Sequence, residues 1–182
     1  DALLLAAQNG KQVAVVVELK ARFDEATNIR LAERMEEVGI HVTYGIVGLK
    51  THAKMTLVVR KDHDGIKTYA HLGTGNYNSQ TSNLYTDMGL FTCNPVITTE
   101  VIEVFNYLTG RSLNREYKHL LVAPFTMKQR FLTAIKNEAK NALKGKNAHI
   151  IAKMNSLEDP RIIKALYEAS QAGVKVDLII RG

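Results

Sequence analysis

A β-branched apolar run between two helix-like segments limits the fold of this chain more than any other feature. Gln12 to Leu19 reads Gln-Val-Ala-Val-Val-Val-Glu-Leu, the pattern of a strand buried on both faces. Such a strand needs helices to cover it, and the sequence supplies them. Residues 2–9 read as a helix stopped by Gly10, and Asp24 is placed to cap a second helix running to about Val38, with Gly39 as its stop. In that second helix Ile29, Leu31, Ala32, Met35 and Val38 fall on one side, and Arg30, Glu33, Arg34, Glu36 and Glu37 on the other. His41 to Tyr44 follows as a short strand, and Gly45 to Gly48 as a loop leading to a strand that carries His52.

Residues 61–65, Lys-Asp-His-Asp-Gly, have the composition of a hairpin turn, and Tyr69 to Leu72 and Met88 to Cys93 read as further strands. Asn94-Pro95 breaks the chain before a helix from about Thr98 to Leu108, stopped at Gly110. Strand–helix–strand with added hairpins predicts a mixed α/β sheet with helices on both faces.

After Arg111 the texture changes. A polar stretch to residue 119 leads into a brief extended segment, Leu120 to Pro124, and then a basic helix from about Thr126 to Lys144. Phe131, Ile135, Ala139, Ala142 and Leu143 recur in it at helical spacing. A strand (His149 to Met154), a helix opened by Asp159-Pro160 and ending near Ala172-Gly173, and a strand from Val174 to Ile180 complete the order. The predicted division is a first domain over 1–119 and the N-terminal part of a similar second domain over 120–182.

The two parts share an echo. Ala2 to Val13 aligns without gaps on Ala165 to Val176, with identities Ala2/Ala165, Leu3/Leu166, Ala6/Ala169, Gln8/Gln171, Gly10/Gly173 and Val13/Val176. Read as a duplication, it puts the second counterpart of His52 beyond residue 182, so the chain would hold one half of a two-lobed site. Asp1 opens straight into a helical pattern, as expected of a piece of a longer protein.

The net charge of +6 suits an acidic partner such as polyphosphate, nucleotide or nucleic acid. The single cysteine, Cys93, excludes an internal disulfide framework and fits a reducing cytosol. No apolar run approaches the roughly 20 residues of a membrane span. His41 and His63 lack carboxylate or cysteine company at metal-ligand spacing, and there is no Walker-type glycine loop, which argues against a zinc site and P-loop chemistry.

The chemistry-bearing residues cluster around His52 and Lys54. Two apart on a strand, they point to one face, where an imidazole is a nucleophile or acid–base group and an ammonium a partner for phosphoryl oxygens. His71-Leu72 then runs into Gly73-Thr74-Gly75-Asn76, a turn whose backbone N–H groups can approach an anion. Arg22 follows the buried strand at its carboxyl end, where α/β folds bind ligands, and its guanidinium can grip two phosphate oxygens. Asp87, two residues after Tyr85, is placed to orient an imidazole.

His-x-Lys followed by Gly-Thr-x-Asn resembles the phospholipase D superfamily, whose members pass phosphoryl groups through a phosphohistidine. The superfamily's usual aspartate, five residues after the lysine, is replaced by Val59. Longer stretches resemble the bacterial polyphosphate kinase family: Val17 to Glu25, Gly48 to Lys54, His71 to Asn78, Leu84 to Asp87, Lys153 to Leu157 and Ala169 to Gly182. That resemblance covers nearly the whole chain. It implies phospholipase D-like catalytic domains and reversible transfer of the ATP γ-phosphoryl group to the end of polyphosphate, with Mg²⁺. His52 matches the phosphorylated histidine, Arg22 a Mg²⁺–phosphate position, and Tyr85 and Arg181 nucleotide-binding positions. A guanidinium is a poor metal ligand, so Arg22 is expected to act on phosphate oxygens around the metal. Lys54, His71, Asn76 and Asp87 are expected as supporting groups. The resemblance further implies a cytoplasmic homo-oligomer with peripheral membrane association and no nucleic-acid partner. A phospholipase D-like phosphodiesterase or nuclease is the alternative, weakened by Val59, and a non-enzymatic phosphate-binding module is a third reading.

Overall fold

The computed structural model describes residues 2–18, 25–113 and 116–181, with nothing stated of the Glu25 side chain. The chain divides into two compact units, 1–114 and 115–182.

In the first unit α1 (Ala2–Gln8) leads to β1 (Ala14–Val16), and α2 (Glu25–Glu37) to β2 (His41–Thr43). β1 and β2 pair in parallel, Val15 opposite Val42, with α2 between them in sequence. Ala32 and Met35 of α2 are buried together with Ile40 just beyond it. The expected two-face burial of the Gln12–Leu19 run is not seen. Ala14 is exposed and Val15 and Val16 are half-buried, because among the described residues β1 has one strand neighbour only.

β3 (Lys54–Asp62), β4 (Gly65–Gly73) and β5 (Gly89–Thr92) form an antiparallel sheet in that order. The β3–β4 turn is His63-Asp64, between the paired residues Asp62 and Gly65. Directly opposed residues share a face, so Met55, Leu57, Ala70 and Leu72 lie on one side and Lys54, Thr56, His71, Gly73, Phe91 and Gly89 on the other. α3 (Pro95–Leu108) packs on β3 and β4. Its Thr98, Val101, Val104 and Leu108 are buried, as is Ala70; fully burying a side chain such as Val101 is worth about 1.5–3 kcal/mol. The helix starts three residues before the predicted Thr98. Asn94-Pro95 opens it instead of breaking the chain: Asn94 Oδ1 accepts from Val96 N–H at 3.0 Å and Pro95 occupies the first helical position.

The second unit contains α4 (Met127–Leu143), β6 (His149–Met154), α5 (Pro160–Gln171) and β7 (Lys175–Ile180). β6 and β7 pair in parallel from His149–Lys175 to Met154–Ile180. One core joins Leu132, Ile135, Ala148, Ala165, Leu166, Ala169 and Val174. The buried stripe of α4 is thus set by Leu132 and Ile135, whereas Phe131 and Leu143 of the predicted stripe are exposed. The predicted extended entry at 120–124 is irregular chain and turn rather than strand.

The echoed segments have one local structure. Gly10 and Gly173 adopt φ of 74° and 96°, a conformation costly for any residue with a Cβ. The same pair of bonds closes each helix: Gly10 N–H to Ala7 O with Lys11 N–H to Ala6 O, and Gly173 N–H to Ser170 O with Val174 N–H to Ala169 O. No helix among the described residues is long and apolar enough to cross a membrane.

Candidate active site

Three irregular strand ends of the first unit meet at the edge of the β3–β4–β5 sheet. The register brings Lys54, Gly73 and Gly89 side by side across the three strands. The chain entering β3, the chain leaving β4 and the chain entering β5 therefore share one rim. His52, Thr74 and Asp87 lie on these three segments.

His52 sits two residues before β3 rather than within it, since the ladder begins at Lys54. Lys54 nevertheless folds back on the histidine. Its Nζ donates to the His52 carbonyl at 2.6 Å and lies 3.0 Å from His52 Nδ1. An ammonium has no lone pair, so Nδ1 is the acceptor in this arrangement and the proton of neutral His52 is on Nε2. The imidazole pKa is lowered from its ordinary value by partial burial first, then by the charges of Lys54 and Lys50. Lys54 is itself lowered by burial; Asp87 acts in the opposite direction and Lys50 reinforces the fall. A neutral imidazole among cations is the result. Lys50 was not among the residues expected from the sequence, and nothing but its proximity to His52 in the chain would have marked it.

Asp87 holds the turn rather than an imidazole. Its Oδ1 accepts from Thr74 Oγ1 at 3.1 Å, and Thr74 is further tied to Met88 through Thr74 N–H to Met88 O (3.0 Å) and Met88 N–H to Thr74 Oγ1 (2.9 Å). The Thr74 amide is therefore already used, contrary to the expectation that the turn offers it to an anion. The glycines serve closeness instead. A Cβ on Gly75 would fall 2.1 Å from Asp87 Oδ2, and one on Gly89 would fall 2.7 Å from His71 Nε2.

His71 is two residues from the C-terminal end of β4, opposite Thr56 and Phe91. Its Nδ1 lies 2.7 Å from the Tyr77 hydroxyl, and its ring packs 4.4 Å from that of Phe91. Tyr77, within the stretch His71 to Asn78, and Phe91 are exposed aromatics whose contact with His71 the sequence did not reveal. Asn76 is exposed, and its backbone carbonyl accepts from Asn78 N–H at 2.8 Å. Tyr85 follows a single 3₁₀ turn, Thr81–Asn83, and is half exposed. Arg181 belongs to the second unit, directly after β7, where its N–H donates to Met154 O at 3.1 Å. Arg22 and Asp24 lie outside the described residues. Val59, at the position of the missing superfamily aspartate, is on β3 five residues beyond Lys54, opposite Thr68, and is exposed.

The profile of the polyphosphate kinase C-terminal domain 1 matches residues 1–114, and that of C-terminal domain 2 matches residues 120–182. The chain belongs to the polyphosphate kinase family. Polyphosphate kinases of Synechocystis sp. and Thermosynechococcus vestitus are 56% and 57% identical to it over 182 residues, all of this chain and 25% of each relative. That of Pseudomonas aeruginosa is 50% identical over the same 182 residues, 26% of its length. The crystal structure of polyphosphate kinase from Porphyromonas gingivalis superposes with a TM-score of 0.86 at 42% identity, covering all of this chain and 28% of that one. The chain thus spans about a quarter of the length of its relatives, and its mixed α/β architecture is the phospholipase D-like fold of this family.

A divalent cation finds few ligands here. Among the described residues no three His, Cys, Asp or Glu side chains are grouped to hold one. Mg²⁺ bound through substrate phosphates needs only one or two protein carboxylates, and Asp87 is the carboxylate whose charge reaches Lys54.

Proposed function

We propose that the chain is the catalytic part of a polyphosphate kinase, which moves the γ-phosphoryl group of ATP reversibly to the end of inorganic polyphosphate through phosphorylated His52. Residues 1–119 would be the first catalytic domain and 120–182 the beginning of the second. The observation that carries this reading is the pairing of Lys54 with a His52 whose neutral form is favoured.

Attack by either ring nitrogen needs Lys54 to move. If Nδ1 attacks, the ammonium must vacate its lone pair; if Nε2 attacks, its proton must pass to Nδ1, which the ammonium now occupies. A γ-phosphate oxygen is the natural new partner for Lys54. The N–P bond then forms in line as the bond from γ-phosphorus to the ADP oxygen breaks. In the second half an oxygen of the terminal polyphosphate residue attacks phosphorus, the N–P bond breaks, and His52 is regenerated. Lys54 and Lys50 offset the charge of two polyanions admitted in turn. His71 and Asn76 would support bound phosphate, and Asp87 would hold the Thr74 turn while balancing Lys54. Mg²⁺, carried on the nucleotide, would neutralise phosphate charge next to Asp87. Tyr85 is assigned to the base of ATP, Arg181 to its phosphates and Arg22 to phosphate oxygens around the metal. We assign the whole protein to the cytoplasm as a homo-oligomer, with peripheral membrane association and no nucleic-acid partner.

The test is to supply the full-length protein with ATP, Mg²⁺ and short polyphosphate. Chain growth matched by ADP release is expected. Release of inorganic phosphate without chain growth would favour a hydrolase and overturn the reading.

A further inference from the structure

The segment that presents His52 is not held by a strand ladder. Residues 51–53 precede β3, and the first ladder pair is Lys54–Gly73. Besides the Lys54 bond to the His52 carbonyl, it is held by a residue 33 positions before Thr51. Glu18 Oε2 accepts from Thr51 N–H at 2.7 Å in a half-buried setting. Glu18 is itself anchored, its carbonyl accepting from Asn28 Nδ2 of α2 at 3.2 Å. Among the described residues Thr51 has no other polar tie through its side chain: its buried Oγ1 makes no hydrogen bond, and Gly45 packs so closely that a Cβ there would lie 3.3 Å from it. This charge-assisted bond ties the peptide before the nucleophile from one side, as the Lys54 ammonium ties the His52 carbonyl from the other.

The internal echo gives this position a context. Extended without gaps past Val13 and Val176, the alignment sets Glu18 on Arg181, and both lie just past a parallel strand at its carboxyl end. The ladders end one residue out of phase with that alignment: Val17 N–H donates to Thr43 O at 2.8 Å, whereas Arg181 N–H itself donates to Met154 O at 3.1 Å. Carboxyl ends of parallel strands are where α/β folds place functional groups.

We propose that Glu18 is a positioning residue for His52, setting the reach and direction of the imidazole through the Thr51 peptide. The proposal rests on the reading of His52 as the phosphoryl acceptor. Misplacing a reacting group by about 1 Å costs up to roughly 100-fold in rate, and this is the scale expected on losing the bond.

The experiment measures transfer of label from γ-labelled ATP to His52 in the full-length protein with Mg²⁺. Glu18→Ala is expected to slow labelling about 10- to 100-fold, with the half-saturating ATP concentration unchanged. Glu18→Gln keeps an acceptor oxygen at the same reach and should recover most of the rate, whereas Glu18→Asp, one methylene short, should not. If the alanine variant does not fold, the Gln and Asp variants decide the matter alone. Hydrogen exchange of residues 50–54 should quicken in Glu18→Asp and remain slow in Glu18→Gln. Label on His52 at the wild-type rate in Glu18→Ala or Glu18→Asp would overturn the proposal alone, as would equal slowing in Gln and Asp. Absence of label on His52 in the wild type would overturn the reading of His52, and this proposal with it.

Discussion

The two units use one backbone device for different ends. In both, a helix closes on a left-handed glycine, Gly10 or Gly173, and delivers a strand that pairs in parallel. The second unit spends its sequence on packing: a single core runs through α4, α5 and the strand starts, and Asp159 caps α5 through the Arg161 and Ile162 amides while pairing with Lys128. The first unit instead places polar groups on irregular segments at strand ends, with His52 before β3, Thr74 after β4 and Asp87 before β5. Its core lies elsewhere, under α2 and α3. Packing in the strand ladders and chemistry at their ends are separable, and substitutions can be chosen to strike one and spare the other.

The largest effect is expected from His52→Ala. Loss of a nucleophile with its whole covalent route costs at least about 10³-fold, so chain growth from ATP should vanish from the assay while the melting temperature holds. Lys54→Met comes next. Removing one preorganised charge partner typically costs about 10²–10³-fold, read as the rate of ADP release. The same variant carries a pH signature. Because Lys54 helps to hold the His52 pKa below its ordinary value, the neutral nucleophile persists to lower pH in the wild type. Activity should fall on acidification as the imidazole gains its proton, and the acid limb should shift to higher pH in Lys54→Met; the shift is partial because burial, the larger cause, remains.

Gly75→Ala strikes the turn without replacing a charged group. The new Cβ cannot coexist with Asp87, so the Asp87–Thr74 bond should break, with a fall in maximum rate of about tenfold. Ile135→Ala strikes the second core. It should cost about 2–5 kcal/mol in denaturant unfolding yet leave labelling per folded molecule at His52 unchanged. A large catalytic defect in that variant would break the separation drawn between the units.

Regular elements were legible because periodicity reports burial. Gly39, Gly110 and the Asp159-Pro160 pair marked helix ends, and the α5–β7 order followed from spacing alone. The misread boundary at Asn94 came from treating Pro as a breaker when Asn-Pro is also a start signal. Leu132 replaced Phe131 in the α4 stripe because one residue of phase turns a helix by about 100°. His52, Lys54, His71 and Asp87 stood out as candidate residue types, but their contacts were not legible. The Glu18–Thr51 bond and the Thr74–Asp87 bond join residues 33 and 13 positions apart. Single-sequence spacing contains no signal for such pairs, and the glycine at 75 could be read as turn flexibility when its part is close approach.

In the proposed reaction His52 itself carries the phosphoryl group. Mapping the label after brief incubation of the full-length protein with γ-labelled ATP and Mg²⁺ tests it most directly. An acid-labile, alkali-stable phosphate is expected on the peptide containing His52, absent from His52→Ala and discharged by adding ADP or polyphosphate. A stable label elsewhere, or undiminished labelling in His52→Ala, would contradict it.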